Sequence, residues 1–411
     1  MPDKSAAETG AFDAPYQAIV VGGGPAGLTA AIALAQSGLA TVLAGKRPAK
    51  ADNRTTALLG GSVTALETLG VWDLCAAQSA PLKVMRIVDD TGRLWRAPEV
   101  KFDCDEIGLD AFGHNIANRD LVAALERRAR DYANLQLIDA EVTAVTPGDD
   151  AVTVTLADGA TLRAPLAVGA DGRHSLCRKA AGIGTQHHDY RQVALTVCLS
   201  HTRPHRDTST EFHTPSGPFT LVPLPGLRSS LVWVLTPHKA EELAALEDAE
   251  LGRAIEDAAH SILGKITVEP GRGLFPLATV TAERFGANRI ALVGEAAHVI
   301  PPIGAQGLNL GLRDAAAIGE LAQAAARDGR DVGGDDVLAA YDKMRRSDVT
   351  SRGVAIDVLN RTLLTDFLPV QGLRGLGLYM LDRIGPLRRA VMREGIAPRS
   401  SAPRLMRGDA A

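Results

Sequence analysis

Residues 16–27, YQAIVVGGGPAG, and residues 289–314, RIALVGEAAHVIPPIGAQGLNLGLRD, decide the fold of this chain. Each stretch begins with an apolar run typical of a buried parallel strand, passes through a glycine-rich turn and continues into a segment typical of a helix. Free N–H groups at such turns and at helix N-termini favour anionic ligands. Together the two stretches predict an α/β fold that holds one long dinucleotide at both ends.

The first turn has the spacing G-x-G-x-x-G. Gly22 allows the tight turn, Gly24 lets the backbone approach a diphosphate, and Gly27 lets the helix pack against the strand. Pro25 suits the first helical turn, where its missing N–H costs nothing. Because the motif follows a strand and opens a helix, we expect it to bind the diphosphate.

The acidic residue that usually follows the next strand is missing. A carboxylate about twenty residues beyond the glycines normally accepts the hydroxyls of the adenosine ribose. This chain has Gly45 there, followed by Lys46 and Arg47. We therefore expect backbone, water or one of these basic side chains to hold the ribose. The basic pair alternatively suggests a 2′-phosphate, as in an NADP site, although the downstream stretch argues against it.

The downstream stretch repeats the order of strand, turn and helix. The apolar run 290–293 ends at Gly294–Glu295, a turn rich in proline and glycine covers 301–307, and residues 308–324 are typical of a helix. A third strand-to-turn element, AVGADGRHS, covers residues 167–175. The backbone N–H groups of such turns can face a ligand.

Three elements, Gly22–Gly27, Asp171–Gly172 and Gly294–Asn309, occur in the order and spacing found in the FAD-dependent aromatic hydroxylases, the class A flavin monooxygenases. The chain resembles this family over about residues 16–395. Within the family it is most similar to the ubiquinone-biosynthesis hydroxylases. Shorter segments that carry this likeness are NRTTAL (53–58), LGVW (69–72), NRDL (118–121), FPL (275–277) and AQGLNLG (305–311).

The resemblance implies FAD as cofactor, NAD(P)H or another electron donor, and dioxygen as co-substrate. Arg54 and Arg119 would lie along the flavin and its phosphates, and the Glu295 carboxylate would accept from the ribityl chain. Asp171–Gly172 would help to place FAD and the reduced nicotinamide, and residues 307–309 would contact the pyrimidine edge of the flavin. The candidate cofactor-binding residues are Gly22, Gly24, Gly27, Lys46, Arg47, Arg54, Arg119, Asp171, Gly172, Gly294, Glu295, Pro302, Ala305, Gln306, Gly307, Leu308 and Asn309.

The chain departs from the family pattern at three positions. Glu295 stands where the family usually has Asp, Ala305 begins the usual Gly-Gln-Gly, and Gly45 lacks the ribose acid. These departures affect FAD affinity and flavin position more than cofactor identity. They indicate a subgroup with its own substrate.

Composition excludes several other classes. The chain has 411 residues, a formal net charge of −4 and 4% aromatic residues, which disfavours a nucleic-acid partner. No apolar run approaches the length of a membrane span, and the polar residues 1–15 are expected to form a flexible tail. Neither the four cysteines nor the histidines have the spacing of ligands, so we expect no metal site and a reducing, cytoplasmic location.

The order of strand and helix patterns predicts an α/β fold in which a Rossmann-like FAD-binding domain is interleaved with an antiparallel-sheet substrate domain. A helical C-terminal region follows. The predicted segments are the flexible tail (1–15), the discontinuous FAD-binding domain (16–80, 108–182 and 277–342), the substrate domain (81–107 and 183–276) and the basic helical C-terminal region (343–411).

The C-terminal region, residues 343–411, carries thirteen Lys and Arg against six Asp and Glu, with apolar residues between them. This pattern suits a helical surface that meets the inner face of a membrane or a partner protein of quinone biosynthesis. A solvated helical face packed on the core explains it equally well. The resemblance favours the membrane, because that family handles polyprenylated substrates.

The leading hypothesis is a monooxygenase that hydroxylates the ring of a lipophilic, prenylated phenol in ubiquinone biosynthesis. The alternatives are a flavin-dependent reductase or dehydrogenase on the same fold, and a non-catalytic member of a biosynthetic complex. His298 is the nearest ionisable candidate for a catalytic base, and a structural role for it is favoured. The substrate assignment depends on family likeness, because fold alone does not fix function.

Overall fold

The computed structural model describes residues 16–47, 54–92, 98–302, 304–364, 383–396 and 402–409. The expected tail, residues 1–15, lies outside these residues. So do position 303 of the proline-rich turn and much of the expected C-terminal region. Expectations for these parts of the chain stay predictions.

Twenty-one β-strands form within the described residues. They are β1 Ala18–Val21, β2 Thr41–Ala44, β3 Thr55–Leu59, β4 Ser79–Pro81, β5 Val84–Asp89, β6 Val100–Asp103, β7 Gly113–Ala117, β8 Leu135–Ile138, β9 Val142–Pro147, β10 Val152–Leu156, β11 Thr161–Ala164, β12 Leu166–Gly169, β13 Thr185–His201, β14 Thr208–Thr214, β15 Gly217–Leu224, β16 Arg228–Leu235, β17 Ile266–Val268, β18 Gly273–Ala282, β19 Gly286–Ala287, β20 Ile290–Leu292 and β21 His298–Val299.

The same described residues form nine α-helices, and none of them is long and apolar enough to cross a membrane. They are α1 Pro25–Gln36, α2 Gly60–Thr68, α3 Asn118–Ala129, α4 Leu176–Ala180, α5 Pro237–Ala244, α6 Asp248–Ala258, α7 Gln306–Arg327, α8 Asp335–Leu364 and α9 Gly385–Ile396.

A six-stranded sheet forms the first half of the architecture, in the order β19-β20-β12-β1-β2-β8. All its pairs are parallel except β19 with β20. Strands β1, β2, β12 and β20 are buried along their whole length, as expected for strands covered on both faces. The loops that follow β1, β12 and β20 therefore leave the same edge of the sheet side by side.

A nine-stranded, mostly antiparallel sheet forms the second half. Its order is β21-β18-β13-β16-β15-β14-β5-β6, with β17 also paired to β13. One face packs under α5 and α6 through buried side chains such as Leu195, Phe219 and Leu231. Because side chains alternate along a strand, Ala194 and Thr196 of β13 face the other way. That second face looks toward the edge of the parallel sheet.

This arrangement confirms the predicted fold class, an α/β cofactor domain interleaved with an antiparallel sheet. The segment boundaries given above stay predictions. The helical segment between β16 and β17 is divided into two helices, α5 and α6. Helix α3 begins at Asn118 itself.

Candidate functional site

The loops after β1, β12 and β20 and the first turn of α7 surround a cavity of about 390 Å³, which we name the turn cavity. It opens at the carboxyl edge of the parallel strands, where ligands of open α/β sheets bind. Residues from the three loops and from α7 line it, among them Gly24, Ala26, Gly172, Arg173, Gly294 and Leu308.

The three motif glycines meet different surroundings. A Cβ at Gly22, whose φ is +123°, would lie 2.2 Å from the Ala170 carbonyl oxygen, and one at Gly27 would lie 2.0 Å from the Gly22 oxygen. Both glycines are therefore required by the packing of the protein itself. A Cβ at Gly24 would have no neighbour within 4 Å. Gly24 faces open space, which leaves room for a ligand to approach the backbone.

Two helix N-termini converge on the turn cavity. Helix α1 follows Gly24, and helix α7 follows Ala305, which adopts a left-handed conformation with φ +55°. The residues that precede these helices, Gly24 and Ala305, make no side-chain capping hydrogen bond. Helix N-termini of this kind can bind a ligand through backbone N–H groups. Positive helix ends that meet in one cavity favour an anionic group, as the sequence predicts.

The turn that begins at Gly294 is fixed from behind by a buried carboxylate. The Gly294 N–H donates to Oδ2 of Asp314 over 2.9 Å, and Nε2 of His298 lies 2.7 Å from the same oxygen. Nε of Arg345 donates to Asp314 Oδ1 over 2.6 Å. One carboxylate of α7 therefore ties the turn after β20 to helix α8.

The charges continue along α8. Asp348 accepts from Arg345 over 2.8 Å and from Arg313 over 2.6 Å. We call His298, Arg313, Asp314, Arg345 and Asp348 the loop network; its side chains are all at least nine-tenths buried. Burial alone would raise the pKa of Asp314, but the charges and hydrogen bonds of His298 and Arg345 hold that pKa below its usual value. Asp314 is therefore ionised at neutral pH.

The position of His298 bears on its candidacy as a catalytic base. Its side chain is fully buried and bonds to Asp314. A base must reach the proton that it removes. His298 lines the turn cavity, but its Nε2 is held by the buried carboxylate of Asp314. The geometry therefore favours the structural role that was preferred for His298 from the sequence.

Asn309 is also engaged with the protein. Its Oδ1 accepts from the Leu59 N–H over 2.9 Å, and its Nδ2 donates to the carbonyl oxygens of Ala57 and Ala305 over 2.8 and 2.5 Å. The side chain joins strand β3 to the first turn of α7. Gly307 and Leu308, predicted with it to contact the flavin, line the turn cavity directly.

A second cavity of about 200 Å³ lies under the nine-stranded sheet, and we name it the sheet cavity. Its walls are mainly apolar, with Ala194, Val232, Phe275 and Leu277 among them, and the predicted residue Pro302 closes one side. The two cavities are contiguous, because both are lined by Arg54, Thr55, Arg173, Glu295, Val299 and Ile300.

The predicted residues Arg119 and Asp171 do not line the turn cavity. Arg119 lines a separate cavity of about 460 Å³, the interdomain cavity, together with Arg228 and Glu269. Asn118 takes the side of α3 that lines the turn cavity, since successive helical residues point about 100° apart. The carboxylate of Asp171 accepts from Ser175 and from two backbone N–H groups of α4, so it fixes the loop and leaves the cavity wall to Gly172.

The basic pair after β2 is already matched by acids. Lys46 bonds to Glu141, and Nε of Arg47 lies 3.4 Å from Asp139 and 3.5 Å from Glu126. A 2′-phosphate at this point would therefore meet two carboxylates. The charge pattern disfavours the NADP-type alternative that Lys46 and Arg47 left open.

Sequence reasoning missed two groups that face the turn cavity. Arg173 lines both the turn cavity and the sheet cavity, and its carbonyl accepts from the buried Arg178, which also bonds to Ala296. Thr56 lines the turn cavity and donates to Asn118 over 2.6 Å. Both residues lie in or beside segments that carry the family likeness. Arg173 directly follows Asp171–Gly172, and Thr56 lies in the NRTTAL segment, with its partner Asn118 at the start of NRDL.

The arrangement can hold a long dinucleotide. An open glycine turn and two uncapped helix ends suit a diphosphate, and the cavity continues into an apolar chamber beside the turn after β20. These residues fit FAD: Gly24 and the start of α1 would hold the diphosphate, and Gly294–Glu295 with Gly307–Leu308 would hold the flavin end.

Comparison with known proteins agrees with this geometry. A family model described as an FAD binding domain matches residues 15–352. The chain is 36% identical to the ubiquinone hydroxylase UbiL of Rhodospirillum rubrum, over 99% of this chain and 96% of the relative. It is 31% identical to the 3-demethoxyubiquinol 3-hydroxylase of Escherichia coli, over 92% of this chain and 98% of the relative.

Solved structures share the fold. The p-nitrophenol 4-monooxygenase PnpA of Pseudomonas putida superposes with a TM-score of 0.76 and 20% identity, covering 94% of this chain and 99% of that protein. The chain therefore belongs to the FAD-binding domain family and is an FAD-dependent oxidoreductase of the monooxygenase class.

Proposed function

We propose that this protein hydroxylates the aromatic ring of a prenylated phenol in ubiquinone biosynthesis. The observation that carries the proposal is that the turn cavity and the apolar sheet cavity adjoin and have six lining residues in common. A flavin ring bound at the turn after β20 would face a ring bound under the sheet. Ubiquinone-pathway hydroxylases from Rhodospirillum rubrum and Escherichia coli, similar over nearly their whole length, support the substrate class.

The size and lining of the sheet cavity suit the head of such a substrate. A volume of about 200 Å³ accommodates one substituted aromatic ring but not a long prenyl chain as well. Apolar walls such as Ala194, Val232 and Leu277 favour an uncharged ring and exclude water. The prenyl chain would therefore extend beyond this cavity.

When bound, FAD supplies the reduction of dioxygen that places one oxygen atom on the ring, with NAD(P)H as the proposed electron donor. The chain's own residues bind, orient and shield the reactants. Arg54 stands between the two cavities, with its guanidinium 5.8 Å from the centre of the Phe275 ring. Glu295 lies at the same junction, where its carboxylate can accept from the ribityl chain.

We also propose that the basic C-terminal region brings the protein to a membrane surface or a partner protein, where a lipophilic substrate resides. Arg389 and Arg393 of α9 are exposed, while Arg388 is bound by both oxygens of Glu106 over 2.7 Å. Sedimentation with vesicles tests this directly. Binding to vesicles with anionic lipid, lost at high salt, is expected for the membrane alternative. Equal absence of binding to anionic and neutral vesicles would contradict that alternative and favour a partner protein.

The substrate assignment is tested by steady-state oxygen uptake with FAD-loaded protein and NAD(P)H. A prenylated phenol should stimulate oxygen uptake and gain the mass of one oxygen atom. The same phenol without its prenyl chain is the matched control, and it should be a poorer substrate through a raised KM. A reduced or desaturated product, with no oxygen added, would favour the reductase or dehydrogenase alternative.

A further inference from the structure

The end of β2, where this family's ribose acid is absent, is closed by backbone packing. A Cβ at Gly45 would lie 2.7 Å from the Gly23 nitrogen and 2.9 Å from the Gly22 Cα. These are backbone atoms of the diphosphate turn, so they cannot move aside as a flexible side chain could. A carboxylate is therefore not merely missing at position 45, since no side chain fits there unless the turn shifts.

The neighbouring strand carries a carboxylate at the same level. Strands β2 and β8 are parallel, with Ala44 opposite Ile138, and the Gly45 N–H donates to the Ile138 carbonyl over 3.1 Å. The next residue along β8 is Asp139, which therefore stands beside Gly45 at the carboxyl edge of the sheet. Paired strands lie only about 4.8 Å apart, so a side chain from the end of β8 can serve the place usually served from β2.

Asp139 shares a small recess with the diphosphate turn. Gly23, Gly45, Arg47, Glu126 and Asp139 all line it, so it adjoins the turn that would hold the diphosphate. Oδ1 of Asp139 accepts from the Arg47 N–H over 3.2 Å, while the Arg47 side chain lies between Asp139 and Glu126. An ionised carboxylate has about four acceptor positions, and the Asp139 side chain is 52% exposed. It retains acceptor capacity toward solvent.

We propose that Asp139, at the end of β8, accepts the hydroxyl groups of the adenosine ribose of FAD, and that Arg47 and Glu126 hold it in position. A ribose offers hydroxyl donors, which suit a carboxylate. The guanidinium of Arg47 lies 3.4 Å from that carboxylate, so the ribose does not meet an unmatched cation. The carboxylate that binds the ribose is thus supplied by the end of β8 and not by the end of β2. Gly45 lets the diphosphate turn pack against the end of β2.

The test is the affinity of the apoprotein for FAD, measured by quenching of flavin fluorescence. Asp139→Asn should raise the Kd for FAD by about tenfold to a hundredfold, the range for a hydrogen bond to a charged group. Electrostatics alone predicts the opposite sign, because removing a negative charge near an anionic diphosphate tightens binding. Glu141→Gln is the matched control, with the same charge change two residues away, and it should not weaken binding.

An FAD analogue with a 2′,3′-dideoxyadenosine moiety separates the ribose from indirect effects. It should bind wild-type protein about as weakly as FAD binds the Asp139→Asn variant, and the substitution should cost it nothing further. Equal effects of Asp139→Asn and Glu141→Gln on FAD would overturn the proposal. So would an undiminished effect of Asp139→Asn on the analogue.

Gly45→Glu gives a second, independent comparison. It restores the usual family residue, yet the packing at Gly45 predicts weaker FAD binding because the diphosphate turn must shift. Unchanged melting temperature of the apoprotein would show that the variant folds. Tighter FAD binding by Gly45→Glu would place ribose recognition at β2 and contradict the role given to Asp139.

Discussion

Gly24 and Gly27 belong to one motif, yet the structure gives them different reasons to be glycine. Gly27 is fixed by the protein, since any Cβ would strike the Gly22 carbonyl at 2.0 Å. A Cβ at Gly24 would meet no protein atom within 4 Å, so the packing of the protein does not require glycine there. We attribute this glycine to the approach of the FAD diphosphate. A motif of this kind mixes folding constraints with binding constraints.

Alanine substitutions should separate these two constraints. Gly24→Ala should leave the melting temperature of the apoprotein unchanged but weaken FAD binding at least tenfold, because a methyl group would occupy the approach to the diphosphate. Gly27→Ala should lower both stability and FAD affinity. Differential scanning fluorimetry and FAD titration measure the two effects. A stable Gly24→Ala protein with wild-type FAD affinity would contradict this assignment.

Asn309 illustrates a residue whose side chain shapes the site from behind. Asn309→Leu removes hydrogen-bond partners from the part-buried backbone groups of Leu59, Ala57 and Ala305, at about 0.5–1.5 kcal/mol for each bond lost. We expect weaker FAD binding and a lower melting temperature. Asn134→Leu also breaks bonds to backbone carbonyls, but it lies outside the turn cavity and should leave FAD affinity unchanged. Identical behaviour of the two variants would contradict the role given to Asn309.

At this scale the sequence identified the backbone of the site better than its side chains. The glycine turn and Gly307–Leu308 were predictable because their function depends on conformation and spacing. The positions of Asn118 and Arg119 were not, because a rotation of about 100° at the start of α3 decides which of them faces the turn cavity. Arg119 therefore lines the interdomain cavity, and its predicted contact with FAD lacks support from this geometry.

Between elements, the loop network is the principal connection behind the site. The Asp314 carboxylate of α7 accepts from the Gly294 N–H and from Arg345 of α8. Both helices therefore hold the turn at Gly294 in place. The sequence contained the residues but not their pairing, because the partners are 20 and 31 positions from Asp314. Helical spacing could not reveal contacts made across the fold.

Removing the central charge should loosen this connection. Asp314→Asn leaves the buried Arg345 with only Asp348 as an ionised partner, and breaking a buried pair costs about 3–5 kcal/mol. Urea unfolding should show that loss, and FAD binding should weaken because the Gly294 turn is released. Glu242→Gln, which removes an exposed pair with Lys239, should cost far less. Comparable losses would show that the loop network adds little.

The pH dependence of this contribution has a definite sign. The pKa of Asp314 is below its usual value of 3.8 in the folded protein, so folding favours the ionised form. Its contribution is present above about pH 4 and is lost as the pH falls further. The difference in unfolding free energy between wild type and Asp314→Asn should stay constant from about pH 8 to 5 and shrink below about pH 4. A difference that grows on acidification would contradict the assignment.

In the whole molecule, the sheet cavity forms where the cofactor half packs against the nine-stranded sheet. Thr55 of β3 bonds to Ser230 of β16 over 2.8 Å, and Asn115 of β7 bonds to the same hydroxyl over 3.1 Å. These contacts join the cofactor half to the nine-stranded sheet beside the sheet cavity. Alternating strand and helix patterns predicted both halves, but the contacts that enclose the sheet cavity link residues more than 100 positions apart.

Filling the sheet cavity should separate substrate binding from cofactor binding. Ala194→Phe places a large ring in that cavity, whereas Ala194→Ser changes its volume little and serves as control. The phenylalanine variant should retain FAD but lose hydroxylation at least a hundredfold, with electrons diverted to hydrogen peroxide. Flavin absorbance, product yield and peroxide assays distinguish these effects. Full hydroxylation by Ala194→Phe would place the substrate elsewhere.

We propose that this chain transfers an oxygen atom from dioxygen to a prenylated phenol. The decisive experiment is mass spectrometry of the product formed under isotopically labelled dioxygen, with FAD-loaded protein and NAD(P)H. We expect a product that carries one labelled oxygen atom on its ring. A product with unlabelled oxygen, or one altered only by gain or loss of hydrogen, would contradict it.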